Sequence, residues 1–193
     1  MKIAVMGAGS VGGYLGGRLA IAGHQVFLIA RGAHLEAISK SGLRLITDKQ
    51  DITLRPPEEL RITGDPGSIG HVDLVLLAVK TYQISQAVTA MTPLTGPQTA
   101  VLCLQNGVDS YQEAAEALGE ATVLPGAVYL EASITEPGVV RQSGEVVRVV
   151  FGELDGSDSP RGGMIQTILQ TAEIDAEFTQ DIRKALWSKF IFI

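Results

Sequence analysis

The sequence predicts an α/β fold built on a doubly wound, mostly parallel sheet, and three observations point to it. Short apolar runs alternate with segments of about ten residues whose apolar positions recur every three or four, the pattern of βαβ units. The run Val72 to Val79 holds Asp73 as its one polar residue, and a nearly continuous apolar strand is what burial on both faces of a parallel sheet requires. Gly7, Gly9 and Gly12 span the junction of the first apolar run and the first helical pattern, where a strand must turn sharply into a helix.

Taken in order, Ile3 to Met6 form a first strand that ends at Gly7. Val11, Leu15, Leu19 and Ala22 recur at helical spacing, and Gly23 stops that helix. Gln25 to Ala30 make a second strand, closed by Arg31-Gly32, and Ala33 to Ser41 a short helix ended by Gly42. Leu43 to Ile46 and Ile52 to Leu54 read as an antiparallel excursion that Pro56-Pro57 ends. The parallel theme resumes with a strand over Val72 to Val79, a helix over Gln83 to Met91, a strand over Thr99 to Leu104, a helix over Ser110 to Leu118 and a strand over Thr122 to Val128. After Ala132 the character changes. Ile134, Val139-Val140 and Val146 to Phe151, punctuated by Pro137-Gly138 and Ser143-Gly144, predict an antiparallel hairpin set.

Asp155 to Gly163, rich in Gly, Ser, Asp and Pro, reads as a loop. A helix over about Met164 to Ala172, a strand over about Asp175 to Phe178 and a last helix starting near Thr179 complete the pattern. On that last helix Ile182, Leu186, Lys189 and Ile193 share a face, and the sequence stops at Phe190-Ile-Phe-Ile with no capping glycine or polar tail. The expectation is therefore an N-terminal portion of a longer chain, with residues 1–178 as one domain and 179–193 as the start of another.

Composition bounds the partners. In 193 residues, 15 Lys plus Arg stand against 21 Asp plus Glu for a formal charge of −6, which argues against nucleic acid and for a small-molecule partner. No apolar run approaches the roughly 18 residues of a membrane span, so no membrane partner is expected. The N-terminus lacks a signal-peptide core, which makes the cytoplasm the expected compartment. The single cysteine, Cys103, lies inside an apolar run and reads as a buried core thiol. His24, His34 and His71 fall at no ligand spacing, so no metal is expected.

The chemistry concentrates at strand ends. Gly7-Ala8-Gly9-Ser10-Val11-Gly12 matches the dinucleotide-binding pattern of a Rossmann-type fold: Gly7 for the tight turn, Gly9 for approach of a pyrophosphate, Gly12 for close helix packing. The free N–H groups at the start of the helix then face the phosphates. An NAD enzyme usually carries Asp or Glu at the end of the second strand. Ala30 and Arg31 stand there instead, so nothing repels a 2′-phosphate and a planar cation is available to bind one. NADP is the expected cofactor.

Lys80 and Asn106 stand just past the ends of two further parallel strands, where open α/β sheets place ligands. On position alone each reads equally as functional or as a solvated or turn-capping residue. For Lys189 the ordinary reading is a lysine that packs its stem and reaches water, and the alternative is an ammonium aimed into a cleft as proton donor or anion partner.

Met1 to Gly13, the Ala30-Arg31 strand end, Ala78-Val79-Lys80, Leu104-Gln105-Asn106-Gly107 and Leu186 to Phe190 together resemble the ketopantoate reductase (2-dehydropantoate 2-reductase) family, in family order across nearly the whole sequence. The resemblance implies NADPH-dependent reduction of a small anionic 2-keto acid, 2-dehydropantoate to pantoate, in pantothenate and coenzyme A biosynthesis. It implies that Gly7 to Gly12 and Arg31 bind the cofactor, that Lys80 lies near ribose and nicotinamide, that Asn106 meets both nicotinamide side and substrate, and that the backbone at Ala132 touches the cofactor. Lys189 matches the family's proton donor, in contact with substrate. One position departs: the family usually has Asn four residues after that lysine, and Ile193 stands here. A related NADP-dependent reductase of another 2-keto or 3-hydroxy acid, or a non-catalytic NADP-binding module, are the competing expectations. The family completes its site with a C-terminal helical substrate domain, through which a homodimer is the expected assembly.

Overall fold

The computed structural model describes residues 1–193. Ten strands and six α-helices succeed one another as β1 (Lys2–Met6), α1 (Ser10–Ile21), β2 (Gln25–Ile29), α2 (Gly32–Ser41), β3 (Leu43–Ile46), β4 (Asp51–Leu54), β5 (Arg61–Thr63), β6 (Leu74–Leu77), α3 (Ile84–Met91), β7 (Ala100–Cys103), α4 (Gln112–Leu118), β8 (Val123–Glu136), β9 (Val139–Phe151), α5 (Pro160–Thr171), β10 (Asp175–Phe178) and α6 (Ile182–Phe192). They form one sheet in the order β4-β3-β9-β8-β7-β6-β1-β2-β5, with β10 also paired to β9. From β5 to β8 every neighbour is parallel, which matches the predicted Rossmann-type, doubly wound, mostly parallel α/β architecture.

The two faces of the sheet sort its apolar residues by alternation. Ile3, Val5, Leu28, Leu74, Leu76 and Leu102 belong to the core on the side of α1 and α5. Their sequence neighbours Ala4, Phe27, Val75 and Val101 belong to the core under α3 and α4. Adjacent residues in a strand point to opposite faces, so helices on both sides demand apolar residues at every position. Cys103 is 2% exposed within the second core. Burial pushes its thiol up to about 12, as befits a packing group rather than a nucleophile.

Four features depart from the sequence reading. The strand expected to end at Val128 continues to Glu136, so Ala132 lies inside one long strand that pairs parallel with β7 and then antiparallel with β9. Pro137-Gly138 makes the turn between β8 and β9, whereas Ser143-Gly144 sits within β9 beside a register shift between Leu130 and Glu131, a β-bulge. The segment expected as loop to Gly163 enters α5 at Pro160, where Ser159 Oγ accepts from the Gly162 N–H and proline takes the first helical position. The strand β5, absent from the sequence reading, adds to the outer edge of β2.

Two helices are anchored so as to position the site. On α1, buried Arg18 donates from Nε to the Ala172 carbonyl at 3.1 Å and ion-pairs with Glu173, tying the helix to the end of α5. On α6, Asp181 caps the first turn by accepting from the Lys184 N–H at 3.1 Å, and Ile182 and Leu186 pack with Ala127 of β8. That contact turns the next residue of the same face, Lys189, inward. Ile193, expected on that face, is 72% exposed.

Candidate active site at the carboxyl edge of the sheet

Register alone assembles this edge. Ile29 of β2 pairs with Met6 of β1, Met6 with Leu77 of β6, and Leu77 with Cys103 of β7. The four parallel strands thus end level, and the segments leaving them emerge along one line: Arg31 after β2, Gly7 after β1, Lys80 after β6 and Asn106 after β7. Three strand spacings separate the outer two positions, about 14 Å. Arg31, Lys80 and Lys189 are accordingly strung along the edge and not gathered into one cluster.

The glycine turn divides its labour among three residues. Gly7 has φ +100°, and a Cβ there would lie 2.8 Å from Val79 Cγ1 and 2.9 Å from the Val79 nitrogen. At Gly12 a Cβ would lie 2.2 Å from the Gly7 carbonyl oxygen and 2.8 Å from Val5 Cγ1, so only glycine lets α1 sit this close to β1. A Cβ on Gly9, by contrast, would meet nothing within 4 Å. Gly9 also caps α1 without any side-chain hydrogen bond, so the first-turn N–H groups of Ser10, Val11 and Gly12 have no intrahelical partner. Open space at Gly9 and unclaimed donors beside it fit the pyrophosphate of a dinucleotide.

A cleft of about 210 Å³ opens from this turn toward β2 and α3, lined by Gly7, Ala8, Gly9, Arg31, His34, Gln83 and Gln86 among others. Arg31 caps α2, and its Nη1 donates to Gln86 Oε1 at 3.1 Å. His34 Nδ1 accepts from the Gly138 N–H at 3.0 Å while Nε2 is buried without a hydrogen-bond partner. Burial holds this imidazole below its ordinary pKa, so it is neutral and carries its proton on Nε2. A larger hollow of about 820 Å³ lies between α4 and the segment after β9. There Arg161 is committed to Glu153, and Glu116, Glu120 and Asp155 outnumber the one further cation, Arg183, a balance unsuited to a phosphate.

Beyond β7, Lys189 Nζ donates to Asn106 Oδ1 at 2.7 Å and lies 5.6 Å from the ring centroid of Tyr129 on β8. Lys189 is 8% exposed and belongs to no ion pair. Burial lowers its pKa to about 8, the effect expected when an ammonium loses water without gaining a carboxylate. A lysine can only donate, so the Asn106 oxygen must face it and the Asn106 amide N–H groups face away. Gln105, buried beside Asn106, donates from Nε2 to the Leu77 carbonyl at 2.8 Å and ties the ends of β6 and β7 together.

The structure therefore brings Lys189 onto Asn106, and Arg31 beside the glycine turn. Lys80 stands exposed at the start of a 3₁₀ turn over Thr81–Gln83, which its side chain does not cap. Ala132 is half-buried on β8 opposite Gln142 and packs, like Val11, against the core on the α1 face. Sequence reasoning missed His34, Gln83, Gln86 and Tyr129. Only tertiary contact marks them, since none sits at a motif position.

Comparison with known proteins identifies the family and the fold. A family profile described as ketopantoate reductase PanE/ApbA matches residues 3–156. The 2-dehydropantoate 2-reductase of Mesorhizobium japonicum is 33% identical over 98% of this chain and 63% of its own length. The crystal structure of 2-dehydropantoate 2-reductase from Porphyromonas gingivalis W83 superposes on 100% of this chain and 69% of its own with a TM-score of 0.92 and 34% identity. A D-mandelate dehydrogenase in ternary complex with NADH and anilino(oxo)acetate shares the fold, with a TM-score of 0.89 at 24% identity. This chain spans about three fifths of the length of the curated relatives it matches. None of the helices is long and apolar enough to cross a membrane.

Proposed function

The chain belongs to the ketopantoate reductase family, and on that premise we propose that it binds NADP across the edge from Arg31 to Asn106 and supplies the proton donor, Lys189, for reduction of 2-dehydropantoate to pantoate. The observation that carries this reading is the Lys189–Asn106 contact of 2.7 Å. It couples a desolvated ammonium to the end of a strand two places from the glycine turn.

Each residue has a task. The N–H groups of Ser10, Val11 and Gly12 would hold the pyrophosphate and Arg31 the 2′-phosphate of NADPH, which when bound would supply the hydride that reduces the ketone carbon. Lys189 meets the charge that develops on the ketone oxygen and passes that oxygen a proton from Nζ, while Asn106 fixes the ammonium and turns its own N–H groups toward the reactants. A pKa of about 8 keeps the donor protonated at neutral pH yet readily able to release the proton. A module that only stored the dinucleotide would have no use for such an ammonium.

The family also guides the wider organisation. Residues 1–178 form the cofactor domain and 179–193 open a helical substrate domain, through which the protein pairs as a homodimer in the cytoplasm. The exposed Trp187, Phe190, Ile191 and Phe192 of α6 support a further domain, since they offer an apolar face for it to cover. A second reading, a related reductase of another 2-keto or 3-hydroxy acid, is favoured by Ile193. Its N–H donates to the Lys189 carbonyl one turn back, and its side chain can make no hydrogen bond to a substrate.

The test is loss of NADPH absorbance with the full-length protein and either 2-dehydropantoate or a panel of 2-keto acids. Turnover fastest with 2-dehydropantoate supports the first reading and turnover fastest with another acid the second. No turnover with any of them refutes both.

A further inference from the structure

The structure assigns to Gln86 a role that rests on the NADP reading and deepens it: we propose that its side-chain amide holds the Arg31 guanidinium for a phosphate monoester on the cofactor ribose and so sets the preference for NADPH over NADH. Gln86 is the third residue of α3, across the cleft from the end of β2. Its Oε1 accepts from Arg31 Nη1 at 3.1 Å. Both side chains are exposed, so the bond contributes little to folding, and its effect lies in orientation. A guanidinium carries five N–H donors in a fixed fork. Engaging one of them on Gln86 fixes the plane of the group at the cleft mouth and leaves the others for the phosphate.

The identity of this partner matters more than its presence. A carboxylate would be the stronger acceptor for a guanidinium, yet it would neutralise Arg31 and place a negative charge beside the incoming phosphate. An amide fixes the guanidinium without cancelling its charge. The amide also keeps its own Nε2 donors, which can turn toward the same phosphate. The preference for a 2′-phosphate, which on Arg31 alone depends on a single mobile side chain, thereby depends on two residues from different βα units.

Fluorescence titrations of the full-length protein with NADPH and with NADH test this on Gln86→Ala, Gln86→Glu, Arg31→Ala and the Arg31→Ala/Gln86→Ala double variant. We expect Gln86→Ala to weaken NADPH about threefold to tenfold, Gln86→Glu to weaken it more than tenfold, and both to leave NADH within about twofold, with unchanged thermal unfolding. In the Arg31→Ala background, Gln86→Ala should add less than about twofold. If Arg31→Ala discriminates between the cofactors and Gln86→Ala does not, the Gln86 assignment is overturned whatever Gln86→Glu does. If Arg31→Ala weakens both cofactors equally, the NADP reading falls and the assignment with it.

Discussion

Two alanine substitutions three residues apart in the glycine turn should have opposite consequences. Gly12→Ala puts a methyl 2.2 Å from the Gly7 carbonyl oxygen and 2.8 Å from Val5 Cγ1, whereas carbon atoms pack at about 3.5–4.0 Å, so α1 must retreat by about 1 Å. Overpacking of this kind costs about 1–3 kcal/mol and more where backbone must move, against a gain of about 1 kcal/mol from replacing a helical glycine. A net loss of about 2 kcal/mol lowers Tm by about 4–8 °C in a chain of this size. Gly9→Ala meets nothing within 4 Å at a φ of −75° that alanine adopts freely. The roughly 0.5–1 kcal/mol lost at the helix cap is offset by a similar entropic gain in the unfolded chain, so Tm should hold within about 2 °C. The methyl nevertheless occupies the space assigned to the pyrophosphate, and NADPH affinity should fall at least tenfold, about 1.4 kcal/mol. Circular-dichroism melting and NADPH fluorescence titration of both variants check this. Wild-type NADPH affinity in Gly9→Ala would refute the cradle, and an unchanged Tm in Gly12→Ala would refute the packing argument.

Arg31→Ala should weaken NADPH by about 10- to 100-fold, the worth of one or two charge-assisted hydrogen bonds, and leave NADH within about twofold in the same titration. Cys103 should resist a soluble thiol reagent in the native protein at pH 8 and react as one thiol per chain after denaturation, because its thiol ionises only at about 12; fast native labelling would contradict its burial. Burial raises the pKa of Glu153, but its bonds from Arg161 and Ser159 together outweigh that and hold the carboxyl below the usual carboxylate range. The stability it confers is therefore present at neutral pH and lost as pH falls through that depressed value. Glu153→Gln should cost about 1–3 kcal/mol at pH 7 and progressively less in acid, as read by urea unfolding across pH.

The carboxyl ends of β1, β2, β6 and β7 and the glycine turn are legible in the sequence, the turn because it is a backbone constraint. Gly7 and Gly12 answer to φ and to a close approach, and both conditions are local to β1 and α1. Lys189 was ambiguous because its stripe with Ile182 and Leu186 says only that the face is apolar; that the face meets β8 and the Asn106 turn is a tertiary fact. Gln86 gave no signal, since an exposed glutamine on a helix is the commonest kind of surface residue and its meaning depends on Arg31 lying opposite. The end of β8 was misplaced for another reason. Residues after Val128 lose their apolar character as the strand leaves the core, until Ser133 to Glu136 are exposed on both faces, and the backbone pairing with β9 persists regardless. The short β5, Arg61–Thr63, is held through backbone pairing to β2, which side-chain patterning cannot reveal. The Ser159-Pro160 start of α5 did carry a helix signal, hidden by the Gly, Ser and Asp around it.

The pH dependence of single-turnover reduction by the full-length protein saturated with NADPH and 2-dehydropantoate, compared with Lys189→Ala, bears most directly on the role given to Lys189. The Lys189 ammonium should hold the wild-type rate on a plateau at neutral pH that falls as pH rises through about 8. Lys189→Ala should lower the rate by about 10²–10⁴, abolish that inflection and leave NADPH affinity within about twofold. A variant that reduces the substrate at the wild-type rate with the same inflection would contradict the assignment of Lys189 as proton donor.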